Sequence, residues 1–136
     1  MTDFREQVMA YGLGELAETM GIEILEATAA RMVGRMPVAG NRQPFGLLHG
    51  GASVVLAETL GSIGAMLHGG PEKVPVGIEV GATHHRSATS GHVTGVATAI
   101  SLGRTVATYE IVLTDDDGNR TCTARLTCLL RDRPSA

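Results

Sequence analysis

Apolar residues recur at helical spacing in two places along the chain. In "DFREQVMAYG", Phe4, Val8 and Tyr11 mark a short helix behind an Asp3 cap, closed by Gly12. From Ala52 to Leu67 ("ASVVLAETLGSIGAML") nearly every position is apolar, which predicts a long helix entered from the turn "GNRQPFG" and ended by Gly69-Gly70-Pro71. Between them, "IEILEATAARMVGRMPV" has β-branched residues, short alternations and a break at Gly34, and predicts two strands joined by a turn. Beyond Pro71, four strand-like runs follow: "VPVGIEVGATHH", "GHVTGVATAISLG", "TVATYEIVLTD" and "TCTARLTCLLR". The last two flank "DDDGN", a hairpin signal. In the third, Ala107, Tyr109, Ile111 and Leu113 fall on one side, opposite Val106, Thr108, Glu110 and Val112.

Consecutive hairpin-like strands predict a mainly antiparallel sheet. Only one helix is apolar on nearly every side, so the simplest α+β architecture wraps the sheet around it and buries it. At 136 residues with 43% hydrophobic content, the chain has the size of a single domain spanning 1–136, with residues 1–20 as an N-terminal helical segment. Eleven Lys and Arg against 14 Asp and Glu, no basic stripe and four aromatic residues argue against a nucleic-acid partner. No apolar run reaches the roughly 18 residues that a membrane span requires, and charges interrupt the N-terminus, so no membrane association and a cytoplasmic location are expected. Cys122 and Cys128 fit neither a disulfide framework nor a paired zinc pattern and are expected to be core thiols, with no metal.

Glu58 is the only charged residue between Ala52 and Leu67. A buried, unpaired carboxylate costs several kcal/mol, on the order of the penalty for desolvating an ion, so it needs a partner, water or a changed protonation state. Two readings follow: Glu58 is catalytic, or it simply reaches an edge or pairs with an arginine from a strand. Ser62, four residues on, shares its helical face and could hold a water or the carboxylate. At the helix start, His49-Gly50-Gly51 is either a tight turn or a place where the Gly50 N–H holds a carbonyl oxygen that becomes negative. His49 and Glu58 are about 13 Å apart along one helix at 1.5 Å per residue. Both cannot touch one reacting carbon of the same chain. If the two halves cooperate, an antiparallel helix of a second copy must complete each site, which predicts a two-fold homodimer.

The run from Gln43 to Gly51, "QPFGLLHGG", continued through Leu56-Ala57-Glu58-Thr59 and Gly61-Ser62, resembles the hot-dog-fold acyl-CoA thioesterases of the phenylacetate and hydroxybenzoyl-CoA type. It is most similar to the branch that holds the menaquinone-pathway dihydroxynaphthoyl-CoA and enterobactin-pathway proofreading thioesterases. "VGIEVGATHHRSATSGHVTG", "SLGRT" and "YEIVLTDDDGNRTCTARLT" follow the branch pattern in order, so the likeness covers roughly residues 20 to 130. It implies an antiparallel sheet curled around one central helix, dimers that pair into homotetramers, and hydrolysis of an acyl-CoA or acyl-carrier thioester with no cofactor beyond the CoA of the substrate. By position it implies Glu58 as nucleophile or general base, Gly50 as donor to the thioester oxygen, His49 and Gln43 as polarising or orienting groups, and Ser62 as a water-placing hydroxyl.

The same likeness assigns Gly77, His84, His85, Arg86 and Ser87 to the acyl and pantetheine channel. It assigns Ser101, Leu102, Gly103, Arg104 and Thr105 to a substrate-side loop, with Arg104 as a phosphate partner. Other readings stand beside these: His85 as a solvent-facing strand residue, Arg86 and Arg104 as partners of the Asp115 to Asp117 run, and His68 and His92 as incidental surface residues. Gly81 and Thr83 stand where relatives commonly carry asparagine, and Ser101 where the menaquinone-pathway member often has histidine. These departures bear on acyl specificity. A hot-dog hydratase would want an Asp/His pair at its active helix. A non-catalytic acyl-CoA-binding module would keep the fold and lose turnover.

Overall fold

The computed structural model describes residues 3–134. Helix α1 (Phe4–Tyr11) begins where the Asp3 carboxylate accepts the Glu6 N–H at 2.7 Å and stops at Gly12, where φ is +93°. A second helix, α2 (Glu15–Thr19), falls within the helical segment read over residues 1–20, though its five residues hold too little periodicity to mark it as a separate element. Strands β1 (Glu23–Ala27) and β2 (Arg31–Pro37) are joined by a turn that the Thr28 hydroxyl closes against Arg31. The break expected at Gly34 is absent: Gly34 lies inside β2, paired with Gly95.

Helix α3 spans Gly50–Gly69, and strands β3 (Lys73–His84), β4 (His92–Leu102), β5 (Val106–Thr114) and β6 (Arg120–Asp132) follow. The six strands form one antiparallel sheet in the order β1-β2-β4-β5-β6-β3. The "DDDGN" hairpin forms as expected. Asp115 Oδ1 collects the N–H groups of Asp117 and Asn119, and Gly118 takes φ +82°.

The sheet curls over α3 through side chains that alternate inward: Met32 and Met36, Val93 and Ala97, then Ala107, Tyr109, Ile111 and Leu113, then Cys122, Ala124, Leu126, Cys128 and Leu130. Of the two sides that the alternation of β5 separates, the one with Ala107, Tyr109, Ile111 and Leu113 is buried throughout. From α3, Leu56, Ala57, Leu60, Gly61, Gly64 and Ala65 face them. Contact is close because the facing positions lack side chains. A Cβ built on Gly34 or on Gly95 would lie 2.8 Å from a Leu60 methyl, and one on Gly64 would lie 2.9 Å from Tyr109 Cζ.

The helix is not enclosed on every side, although its composition predicts a buried helix. Its second face, through Val55, Glu58, Thr59, Ser62 and Met66, is half-buried. Its 20 residues, with a mean hydropathy of 1.3 over an 18-residue stretch, also exceed the run read from the sequence and suffice in length and composition to cross a bilayer. Half of that stretch is buried within the fold, which makes it the core helix of the sheet.

Gly64→Ala should lower stability. The added methyl strikes the Tyr109 ring, which is tethered by its hydroxyl donating to Ala29 O at 2.6 Å. Overpacking costs about 1–3 kcal/mol, and the better helix propensity of alanine returns about 1. A net loss of up to about 2 kcal/mol is expected as a lower urea midpoint. An unchanged midpoint would mean that α3 can lift off the sheet.

Candidate active site

The segment entering α3 is braced before it becomes helical. Asn41 Nδ2 donates to Met20 O and Pro37 O, each at 2.8 Å, and Asn41 O accepts the His49 N–H at 2.9 Å. Gln43 Oε1 accepts the N–H groups of Phe45 and Leu47, which holds the turn around Gly46 (φ +84°). That use of the carboxamide oxygen leaves its NH₂ group as the donor side.

At the helix start, His49 Nδ1 accepts the Gly51 N–H at 2.8 Å as the N-cap. The neutral imidazole therefore carries its proton on Nε2. Among the described residues the Gly50 N–H meets no acceptor. His84 lies over it: a Cβ on Gly50 would sit 3.0 Å from His84 Nε2. This end opens on a cavity of about 330 Å³ whose lining includes Gln43, Gly50, His84, His85, Arg86 and Ser87. Six of the residues named from the sequence thus meet in one place. His85 Nε2 contacts Thr123 Oγ1 at 2.9 Å, and the charge of exposed Arg86 reaches Asp115.

Glu58 lies two turns further along. It is half-buried, forms no ion pair among the described residues, and lines a second cavity of about 850 Å³ together with Ser62. Of the two forms of the alternative reading, pairing with a strand arginine is not seen among the described residues. Gly77 of β3 faces it closely: a Cβ at that position would lie 2.8 Å from Glu58 Oε2. Gly77 thus borders the carboxylate. It is paired with Cys128 just ahead of a β-bulge at Ile78. Cys128, which the sequence reading placed only in the core, adjoins the site. Burial pushes its thiol pKa up and the Glu58 charge adds to this, while a hydrogen bond from Ser62 pulls it down. No sequence pattern marks that neighbourhood, because β3 and β6 meet only through sheet pairing.

Ser101, Leu102, Gly103, Arg104 and Thr105 reach neither cavity. They form the end of β4 and the β4–β5 connection, at the C-terminal end of α3, where His68 Nε2–H donates to Gly103 O at 2.7 Å. His68 is therefore half-buried and bonded, not incidental, while His92 is half-buried at the start of β4. Arg104 makes no ion pair with Asp115 to Asp117 or with any other described residue.

The thioesterase superfamily profile matches residues 45–122, more than half of the chain. This chain belongs to the thioesterase superfamily. The thioesterase is 44% identical over 122 residues, 89% of each chain, to the proofreading thioesterase EntH of Cronobacter turicensis. It superposes on Pseudomonas aeruginosa thioesterase PA1618, solved as a glutamine-to-alanine variant, with a TM-score of 0.88 at 42% identity over 98% of this chain and 97% of that one. Staphylococcus aureus SAV0944, solved as a glutamate-to-alanine variant, gives a TM-score of 0.82 at 32% identity over 88% and 100%, and it has also been solved as a glutamine-to-alanine variant. The curled antiparallel sheet and central helix are the hot-dog fold, and the chain is a thioester hydrolase.

The buried thiols give this thioesterase a pH signature. Burial raises the pKa of Cys122 and Cys128 in the folded state. The unfolded thiols ionise near about 8.5, so above that pH the unfolded state binds fewer protons and stability falls as pH rises. Stability should be level from pH 7 to about 8.5 and then decline towards pH 10. Urea midpoints across that range test this, and Cys128→Val should make the decline shallower.

Proposed function

We propose that the chain hydrolyses the thioester of an acyl-CoA with an aromatic or medium-chain acyl group, using Glu58 as the reacting carboxylate. The observation that carries this reading is a half-buried glutamate that has no cationic partner among the described residues and faces an apolar cavity beside a hydroxyl. Such a carboxylate is not neutralised by a neighbour and is close enough to a dry space to act on a substrate held there. It either attacks the thioester carbon, expelling CoA and forming a mixed anhydride that water then hydrolyses, or takes a proton from a water that attacks that carbon and expels CoA. The acyl group leaves as a carboxylate and CoA as a thiol. No metal or organic cofactor enters this reading.

The Gly50 N–H, at the positive end of the α3 dipole, holds the thioester oxygen as it becomes negative, with His84, His49 and the Gln43 NH₂ around it. Gln43 and Glu58 gain support from SAV0944: its substituted glutamine and glutamate lie as far apart along that chain as these two residues do here. Arg86 and Arg104 supply positive charge for the phosphates of CoA.

Gly50 and Glu58 are about 12 Å apart along α3 and open on different cavities, so the reaction needs a second copy. Strand β3 offers the means. It is an edge strand, paired only with β6, and Val76, Ile78 and Val80 are exposed on it. It touches Glu58 through Gly77 and Gly50 through His84. Antiparallel pairing of two β3 edges about Val80 and Gly81 sets Gly77 of one copy near His84 of the other and joins unlike halves into two composite sites. Pairing of such dimers yields the tetramer.

Glu58→Ala and Glu58→Gln should each lower turnover of acyl-CoA at least about 100-fold, read as free-thiol release. Binding without turnover by the unaltered chain would favour a non-catalytic module instead. Mixing Glu58→Ala chains with Gly50→Val chains should restore about a quarter of full activity, since half of the dimers are mixed and each holds one intact site. No recovery after confirmed subunit exchange would overturn the composite site.

A further inference from the structure

The larger cavity has two walls of different origin. One is the second face of α3, where Val55, Glu58, Ser62 and Met66 follow one another. The other is α1 and the segment after it, through Phe4, Val8 and Leu13. Helix α1 buries none of its residues; Phe4, Val8 and Met9 are half covered. Eight residues are too few for a helix to persist by itself. This one is held at its N-terminal end, by the Asp3 cap and by Arg5 Nε donating to Ala27 O at 2.6 Å. Its apolar side therefore overhangs the space above α3 without filling it, and encloses about 850 Å³. That volume is in the range of small-molecule sites.

We infer that this space is the acyl chamber, that it takes an uncharged apolar arm, medium-length alkyl or aryl, and that Val8 and Leu13 on one wall and Met66 on the other determine which acyl groups are hydrolysed. The inference rests on the reading of Glu58 given above, since that carboxylate stands on the chamber wall at the point where the thioester carbon would lie. The lining favours an uncharged arm. A second carboxylate on the acyl group would enter beside Glu58 and be repelled. The cation on the lining, Arg133, has its Nε already donating to Pro71 O at 2.9 Å.

The test is a chain-length series with the full chain, in which kcat/KM is measured from acetyl-CoA to dodecanoyl-CoA by release of free thiol. Each added methylene should raise kcat/KM about fourfold until the chamber is full. Val8→Ser with Leu13→Ser should reduce the octanoyl-to-acetyl ratio at least about tenfold. Met66→Trp, which fills the chamber from the opposite wall, should move the optimum to shorter chains, and succinyl-CoA should turn over more slowly than butyryl-CoA. Circular dichroism checks that the variants are folded. In parallel, dissociation constants of S-alkyl-CoA thioethers, which cannot be hydrolysed, should follow the same dependence on length and on the variants.

Chain-length dependence of rate and affinity that ignores Val8, Leu13 and Met66 overturns the chamber, even if Glu58→Ala abolishes hydrolysis. A dependence that responds to those residues while Glu58→Ala hydrolyses at the full rate supports the chamber and overturns the role of the carboxylate.

Discussion

The seating of α3 on the sheet is the constraint on which the rest of the structure depends. Leu60 lies against two positions that carry no side chain, Gly34 on β2 and Gly95 on β4, and Gly64 admits the Tyr109 ring. Contacts this close cannot slide without clashes or voids, so the helix has one position relative to the sheet. Gly50, Glu58 and Ser62 belong to that helix, Gly77 and His84 to a strand that touches it, and Gln43 and His85 to Ser87 to the loops that lead into the one and out of the other. The separation of the α3 N-terminus from Glu58 is consequently as fixed as the pitch of the helix, and in the proposed reaction no motion within one chain closes the gap.

Glu58 owes its character to what surrounds it. A carboxylate on the sheet side of α3 would be fully desolvated, and one on an open surface would be an ordinary solvated charge. On the half-buried face it is between these extremes, with an apolar cavity before it, Ser62 one turn on, and the Gly77 backbone close by. The absence of a side chain at Gly77 is what leaves room for the carboxylate. The same economy of atoms recurs at Gly50, where the missing Cβ leaves His84 its place.

Much of this was legible in the residues themselves. The order of the strands and of the long helix, the two-sided alternation of β5 and the "DDDGN" turn follow from period and turn chemistry. What escaped the sequence is what pairing in the sheet creates. Cys128 comes to Glu58 only because β6 lies beside β3, and α1 comes to Glu58 only because the chain folds back over α3. Gly34 read as a break because glycine usually interrupts strands; here it serves the helix that packs on it. Ser101 to Thr105 share a motif with the site but lie at the far end of α3, where proximity within one chain cannot join them to it.

The bulge at Ile78 has an effect out of proportion to its size. Along a regular strand, residues separated by an odd number of positions project to opposite faces, and Gly77 and His84 are so separated. The supernumerary residue shifts the phase by one, so that Gly77 opposite Cys128 and His84 opposite Cys122 both look towards the helix. Ile78 thereby acts as a parity switch in the backbone. Excising it would restore plain alternation and turn one of the two contacts outward, an injury to the site that no exchange of side chains could mimic.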